Sequence, residues 1–226
     1  MKTCLVLETG VTPYQQALEW QERLVAARRA GLTGDLLILL EHPPVFTFGR
    51  KGGRENLLVP EQELRLKGVE TFSVNRGGDV TFHGPGQLVG YPVIDLKEHR
   101  TDIHWYIKML EEVLIRVAGE YGLPAARYCG YTGVWVEGMK LASIGVAVRG
   151  WVTMHGFAIN VANDLQYFKM INPCGLKNVA MASLSGLLGR KVSVSEVSEK
   201  VKSRFAEVFQ FRIIPAEMDQ LLKRFA

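Results

Sequence analysis

The chain has 226 residues, 47% of them apolar and 22% charged, so it can bury one large core without staples and is not disordered over any long stretch. Its formal charge of +4 is spread along the sequence, with Arg50, Lys51 and Arg54 the nearest thing to a basic patch, which favours an acidic partner over nucleic acid. No run approaches the roughly 18–20 uncharged apolar residues of a membrane span and the N-terminus lacks a basic start and cleavage site, so a cytoplasmic location is expected.

In chain order, residues 4–7 and 35–40 read as short buried strands on either side of a helical stretch at 13–30, closed by Gly31. A second helix can be capped by Thr101 or Asp102. Its apolar row runs Ile103, Ile107, Leu110, Leu114, Val117 and Tyr121 before Gly122. Strand-like runs broken by glycines cover 133–136, 140–148 and 152–159. Ser193 and Glu196 have capping-box spacing ahead of Val197, Val201, Phe205 and Val208, and Pro215 reads as the start of a last short helix ending in Leu221, Leu222 and Phe225. These terminal helices are candidates for a small subdomain, but no linker divides the chain, and one domain over 1–226 is expected.

Three segments can carry chemistry. In the first, Arg76, Gly77 and Gly78 allow the main chain to turn and aim N–H groups at an anion. Alternation then puts Asp79, Thr81 and His83 on one side and Val80 and Phe82 on the other, with Gly84-Pro85-Gly86 as the turn after His83. The plainer reading is a hairpin whose glycines serve only its turn. In the second, Lys140 shares a strand face with Ala142, Ile144, Val146 and Val148. Such a lysine either snorkels to water or places an ammonium to stabilise an anion and exchange a proton.

The third segment is Asn172-Pro173-Cys174-Gly175, where the setting suits a displayed sulfur, although single cysteines are more often inert core residues. The three cysteines, Cys4, Cys129 and Cys174, lack disulfide-framework or metal-ligand spacing; Cys4 reads as core and Cys129 has no supporting pattern. Among the histidines, His83 leads and His155, beside Gly156, is next. His42 can border a site, whereas His99 and His104, near a helix start, read as solvated.

Together these segments resemble the lipoyl(octanoyl) transferases, the octanoyltransferases of lipoate synthesis. The resemblance rests on RGGDVTFHGPGQLVGYP at 76–92, GVWVEGMKLASIG at 133–145, HGFAIN at 155–160 and NPCG at 172–175, in the family's order and at similar spacing. Phe82 stands where many relatives have tyrosine, and Leu141 where isoleucine is common. The resemblance implies an α/β fold, a mixed β-sheet flanked by helices like the catalytic domain of lipoate and biotin protein ligases. It makes Cys174 the acyl-thioester nucleophile and Lys140 the group that lowers its pKa. Arg76, Gly77, Gly78, Asp79, Val80, Thr81, Phe82 and His83, with Ser143, Ile144, Gly145, Gly156, Phe157 and Ala158, would line the acyl site, with His155 as possible support.

The donor implied is octanoyl on the phosphopantetheine of acyl carrier protein. The acceptors implied are lysines of lipoyl domains, in the E2 subunits of 2-oxoacid dehydrogenases and the glycine cleavage H protein. No ATP, metal or other cofactor is expected, because exchanging one thioester for another is nearly balanced and forming the amide runs downhill. Backbone N–H groups of Gly77, Gly78 or Gly145 are candidates for the oxyanion hole. Three rivals stand beside this reading: an ATP-dependent lipoate or biotin ligase of the same fold, which needs no cysteine; a cysteine hydrolase using His83 or His155; and a silent module that binds acidic carrier domains.

Overall fold

The computed structural model describes residues 1–172 and 179–225. The chain opens with β1 (Lys2–Val11), α1 (Tyr14–Arg29) and β2 (Asp35–Glu41), followed by β3 (Val45–Phe48), α2 (Glu61–Leu66), β4 (Glu70–Ser73), β5 (Val80–His83) and β6 (Gln87–Val93). After α3 (Ile103–Gly119) come four strands in succession, β7 (Ala125–Tyr128), β8 (Tyr131–Val136), β9 (Met139–Arg149) and β10 (Val152–Asn160). The C-terminal part holds α4 (Leu184–Leu188), α5 (Val194–Phe209), β11 (Phe211–Pro215) and α6 (Met218–Lys223).

Eight strands form one mixed sheet in the order β11-β1-β2-β6-β10-β9-β8-β7, and β4-β3-β5 form a second, smaller sheet. The pairings of β1 with β2 and with β11 are parallel, and from β2 to β7 every pairing is antiparallel. Strand β2 shows why the large sheet is covered on both faces. Leu37 and Leu39 point into a core shared with α3 and α5, while Leu36, Ile38 and Leu40 point into one shared with α1 and α6. A third cluster, containing Phe46, Phe48, Val80, Phe82, Phe168 and Ile171, fills the space under the small sheet. Each fully buried leucine or isoleucine in these layers contributes roughly 1.5–3 kcal/mol of transfer free energy.

Asp102 is the cap of α3, accepting from the Trp105 N–H at 3.0 Å, and Ser193 caps α5 through the Glu196 N–H at 3.1 Å. Two expectations need correction. Pro215 does not open a helix: it ends β11, opposite Val6 of β1, and α5 packs in the same core as α3, so the C-terminal elements complete the main sheet. Proline is tolerated there because it sits at a strand end on the sheet edge. His99 is not solvated either. Its side chain is only 10% exposed and its Nε2–H donates to Asp35 Oδ2 at 2.7 Å.

Candidate active site

Where the small sheet leans on the middle of the large one lies a narrow cleft, partly open to solvent. Its lining comes from Arg76, Gly77, Gly78, Thr81 and His83 on one side and Ser143, Ile144, Gly145, His155, Gly156, Phe157 and Ala158 on the other. Tyr14 of α1 and Val89 and Tyr91 of β6 complete it. The three resemblance motifs other than the cysteine motif, at 76–92, 133–145 and 155–160, therefore send residues to one region. Alternation along β5 explains which: Thr81 and His83 face the cleft, whereas Val80 and Phe82 turn into the third apolar cluster. Phe82 stacks on Tyr167 with ring centroids 4.4 Å apart.

Asp79 is drawn away from the cleft by other bonds. Its carboxylate accepts from the Val80 N–H and from Asn56 Nδ2, both at 2.6 Å, and the Asn56 carbonyl in turn accepts the Asn172 N–H at 2.8 Å. Through Asn56, Asp79 thus braces the first residue of the cysteine motif. Cys174 itself lies outside the described residues. Cys4 is buried in β1, where burial raises its thiol pKa far above the ordinary range and Asp35 adds to the effect, and Cys129 is exposed.

The glycines at the cleft have separate reasons. Between Arg76 and Asp79 the chain turns through Gly78 at φ +85°, and residues 49–51 hold this turn, with the Arg50 and Lys51 N–H groups donating to Arg76 and Gly78 carbonyls at 3.0 Å. The Gly77 N–H donates to the Val146 carbonyl at 2.8 Å. It is therefore engaged in the fold, which removes it from the candidate oxyanion donors. At Gly156 a side chain would run into the Gly90 carbonyl, and one at Gly90 would run into the Phe157 ring. Their absence lets β6 and β10 approach closely behind the cleft.

His155 has φ +56°, a left-handed conformation costing about 1–2 kcal/mol outside glycine. It is held by its N–H donating to Gln21 Oε1 at 2.8 Å and by Nε2 at 2.7 Å from Asn75 Oδ1, while Nδ1 is buried with no hydrogen-bond partner among the described residues. Arg76 is pinned by Thr47: its Nη2 donates to the Thr47 carbonyl at 2.6 Å and to Oγ1 at 2.9 Å. Burial first, and then the Arg76 charge, lower His155 to about 3; burial and the neighbouring His42 lower His83 to about 3.

Behind the cleft, His42 is fully buried and does not line it. Its Nδ1–H must donate to the Thr12 carbonyl at 2.7 Å, so Nε2 accepts from the Tyr91 hydroxyl, also at 2.7 Å. Burial holds this imidazole down at about 4.

Lys140, on β9 just before the cleft-lining Ser143–Gly145 stretch, is only 2% exposed. The stem runs past Gly133, where an added Cβ would stand 2.9 Å from Cε, and Nζ lies 5.4 Å from the centre of the Trp135 ring. Its backbone pairs with the segment downstream of the cysteine motif: Lys140 N–H donates to the Ala180 carbonyl at 2.8 Å, and Ala182 N–H to the Lys140 carbonyl at 3.0 Å. Sequence reasoning missed Tyr14, Tyr91, Gln21 and Asn75. Of these only Gln21 carried a signal, being an uncharged polar residue in the same helical row as Ala17, Leu24 and Val25.

A mixed sheet of this topology with an apolar cleft at its centre defines a class, and the sequence comparisons agree with it. The lipoyl protein ligase A/B catalytic domain matches residues 13–206, and the chain belongs to that family. Within the family it is an octanoyltransferase: the octanoyltransferase of Geobacter metallireducens is 51% identical over 209 residues, covering 92% of this chain and 95% of that relative. Solved structures share the fold at low identity. The bi-partite lipoate protein ligase of Thermoplasma acidophilum aligns with TM-score 0.78 at 16% identity, over 99% of this chain and 91% of the other. The biotin protein ligase of Aquifex aeolicus aligns with TM-score 0.52 at 15% identity, over 93% and 70%.

Proposed function

We propose that this octanoyltransferase takes its acyl group from octanoyl-acyl carrier protein, holds it as a thioester on Cys174 and passes it to a lysine of a lipoyl domain. In the first half-reaction the Cys174 sulfur adds to the donor thioester, the phosphopantetheine thiol leaves, and the proton from Cys174 goes to that departing sulfur. In the second, the lysine nitrogen adds to the new thioester, the Cys174 sulfur leaves, and the nitrogen's proton returns to it. Lys140 carries the proton in both directions, and its ammonium favours the thiolate of Cys174.

The observation that carries this reading is the backbone pairing of Lys140 with Ala180 and Ala182. It ties a buried lysine, on the strand whose Ser143–Gly145 stretch lines the cleft, to a segment six residues downstream of Cys174, within about 20 Å of extended chain. The apolar cleft itself suits an alkyl chain, at about 0.8 kcal/mol for each methylene taken from water. Gly78 remains as an oxyanion donor, since its N–H donates to no described group. Two exposed cations at the rim, Arg50 and Lys51, form no ion pair with a described residue and suit an acidic carrier surface.

The test is intact mass. Incubation with octanoyl-carrier protein, without ATP, should add one octanoyl group that hydroxylamine removes, and Cys174→Ala should take up none and transfer none. Turnover retained by Cys174→Ala, or a strict requirement for ATP with free octanoate, would reverse the reading.

A further inference from the structure

One buried chain of hydrogen bonds runs from the cleft to the backbone of Lys140 through two side chains that none of the four motif assignments uses. Gln87 Nε2 donates to the Phe82 carbonyl at 3.2 Å and to Asn160 Oδ1 at 2.9 Å. Both hydrogens are thereby committed to oxygens that only accept, which fixes the orientation of the amide. Asn160 is oriented in the same way, because its Nδ2 donates to the Ala182 carbonyl at 3.0 Å, leaving Oδ1 for Gln87 and for Asn163 Nδ2 at 3.1 Å. Ala182 then bonds the Lys140 carbonyl.

The consequence falls on His83. Gln87 Oε1 stands 2.7 Å from His83 Nδ1 and can only accept, so Nδ1 carries the ring proton. In a neutral imidazole Nε2 is then a bare lone pair. It has no partner among the described residues, and it is absent from the buried unpaired atoms, so it opens to the cleft that His83 lines. We propose that Gln87 and Asn160 are positioning residues that hold His83 as an obligate hydrogen-bond acceptor, whose Nε2 receives an N–H of the substrate entering the cleft. Given the reading above, that N–H belongs either to an amide of the donor's phosphopantetheine arm or to the acceptor lysine.

Protonating this imidazole would abolish the acceptor, and its surroundings oppose protonation. Arg76 faces it from the turn before β5, His42 from beyond β2 and His155 from β10, and the hydroxyls of Tyr14 and Tyr91 offer no anion near neutral pH. Replacing Gln87 by glutamate puts a carboxylate against Nδ1–H and favours the imidazolium, turning Nε2 from acceptor to donor.

Nitrogen-15 NMR of the wild-type histidines should show His83 as the Nδ1–H tautomer throughout the neutral range. Single-turnover loading and transfer in the wild type should follow only the ionisation of Cys174 and of the acceptor lysine, with no added fall toward about pH 6 from His83. In Gln87→Glu one of the two should fall about tenfold at about pH 6 and recover as His83 deprotonates. A defect confined to loading assigns the N–H to the donor arm; one confined to transfer assigns it to the lysine. An Nε2–H tautomer in the wild type overturns the proposal even if no variant folds. So does a Gln87→Glu defect of the same size at every pH, which would mark a merely structural role. Failure of the thioester reading would appear separately, as a wild-type protein without a hydroxylamine-sensitive adduct.

Discussion

Two buried polar clusters lie at opposite ends of β6, and they are built to different rules. Past its last residue, Arg28 bonds Asp35 at 2.9 Å and Glu98 at 2.7 Å, while Asp35 also accepts from His99 and from the Asp95 N–H at 3.0 Å. Every one of these groups is matched by a partner of the same chain. At the cleft, by contrast, neither His83 Nε2 nor His155 Nδ1 has a partner among the described residues, and His155 sits in a backbone conformation that itself costs energy. Buried polarity that is fully satisfied serves the fold; polarity left incomplete by the fold is available to a substrate.

The largest expected effect separates the two directly. Asp35→Asn leaves Arg28 buried without its main counter-charge and should lower the unfolding free energy by about 3–5 kcal/mol, measured by urea denaturation. Turnover per folded molecule should be unchanged, and a fall in kcat comparable to the fall in stability would dissolve the distinction between the clusters.

Lys140→Ala should do the reverse. Loading at neutral pH should drop by about 10–100-fold, with partial recovery at higher pH as more of the thiol ionises without help. Because the lysine stem fills space against Gly133 and Trp135, Lys140→Met is the better control for packing. Normal rates at neutral pH in either variant would remove Lys140 from the chemistry.

What could be read from the sequence follows the same division between local and distant causes. The α3 helix was legible because Asp102 and its apolar row act within a few residues of one another. The three-stranded sheet was not, because β3, β4 and β5 have only four residues each and are joined by pairing across the chain. His99 was misread for the same reason, its partner Asp35 being 64 positions away. At the cleft, period-two alternation separated Thr81 and His83 from Val80 and Phe82. It gave no warning that Asp79 would be recruited by Asn56, or that the Gly77 N–H would be taken by Val146. A motif reports which residues gather; the bonds each one already makes decide what remains for chemistry.

The smallest effect concerns pH, and it gives the two clusters different windows. His42, His83 and His155 are held at about 4, 3 and 3, chiefly by burial, against an unfolded value of about 6.5. Between those limits the unfolded chain binds more protons, so the stability they contribute is complete above about pH 6.5 and falls as pH drops toward the folded values. Each histidine should remove about 1 kcal/mol between about pH 7 and pH 5.5. For Asp35 burial raises the pKa, but the bonds from His99, the Asp95 amide and Arg28 outweigh it, and the net shift is downward. Its contribution is therefore present above an unfolded pKa of about 3.9 and lost only below that. Asp35→Asn should keep the upper loss of stability intact, whereas His42→Gln, behind the cleft, should reduce it by about one histidine's share. If Asp35→Asn instead abolished the loss between about pH 7 and pH 5.5, the histidines would not be titrating there, and the cleft would be as fully satisfied as the cluster it is contrasted with.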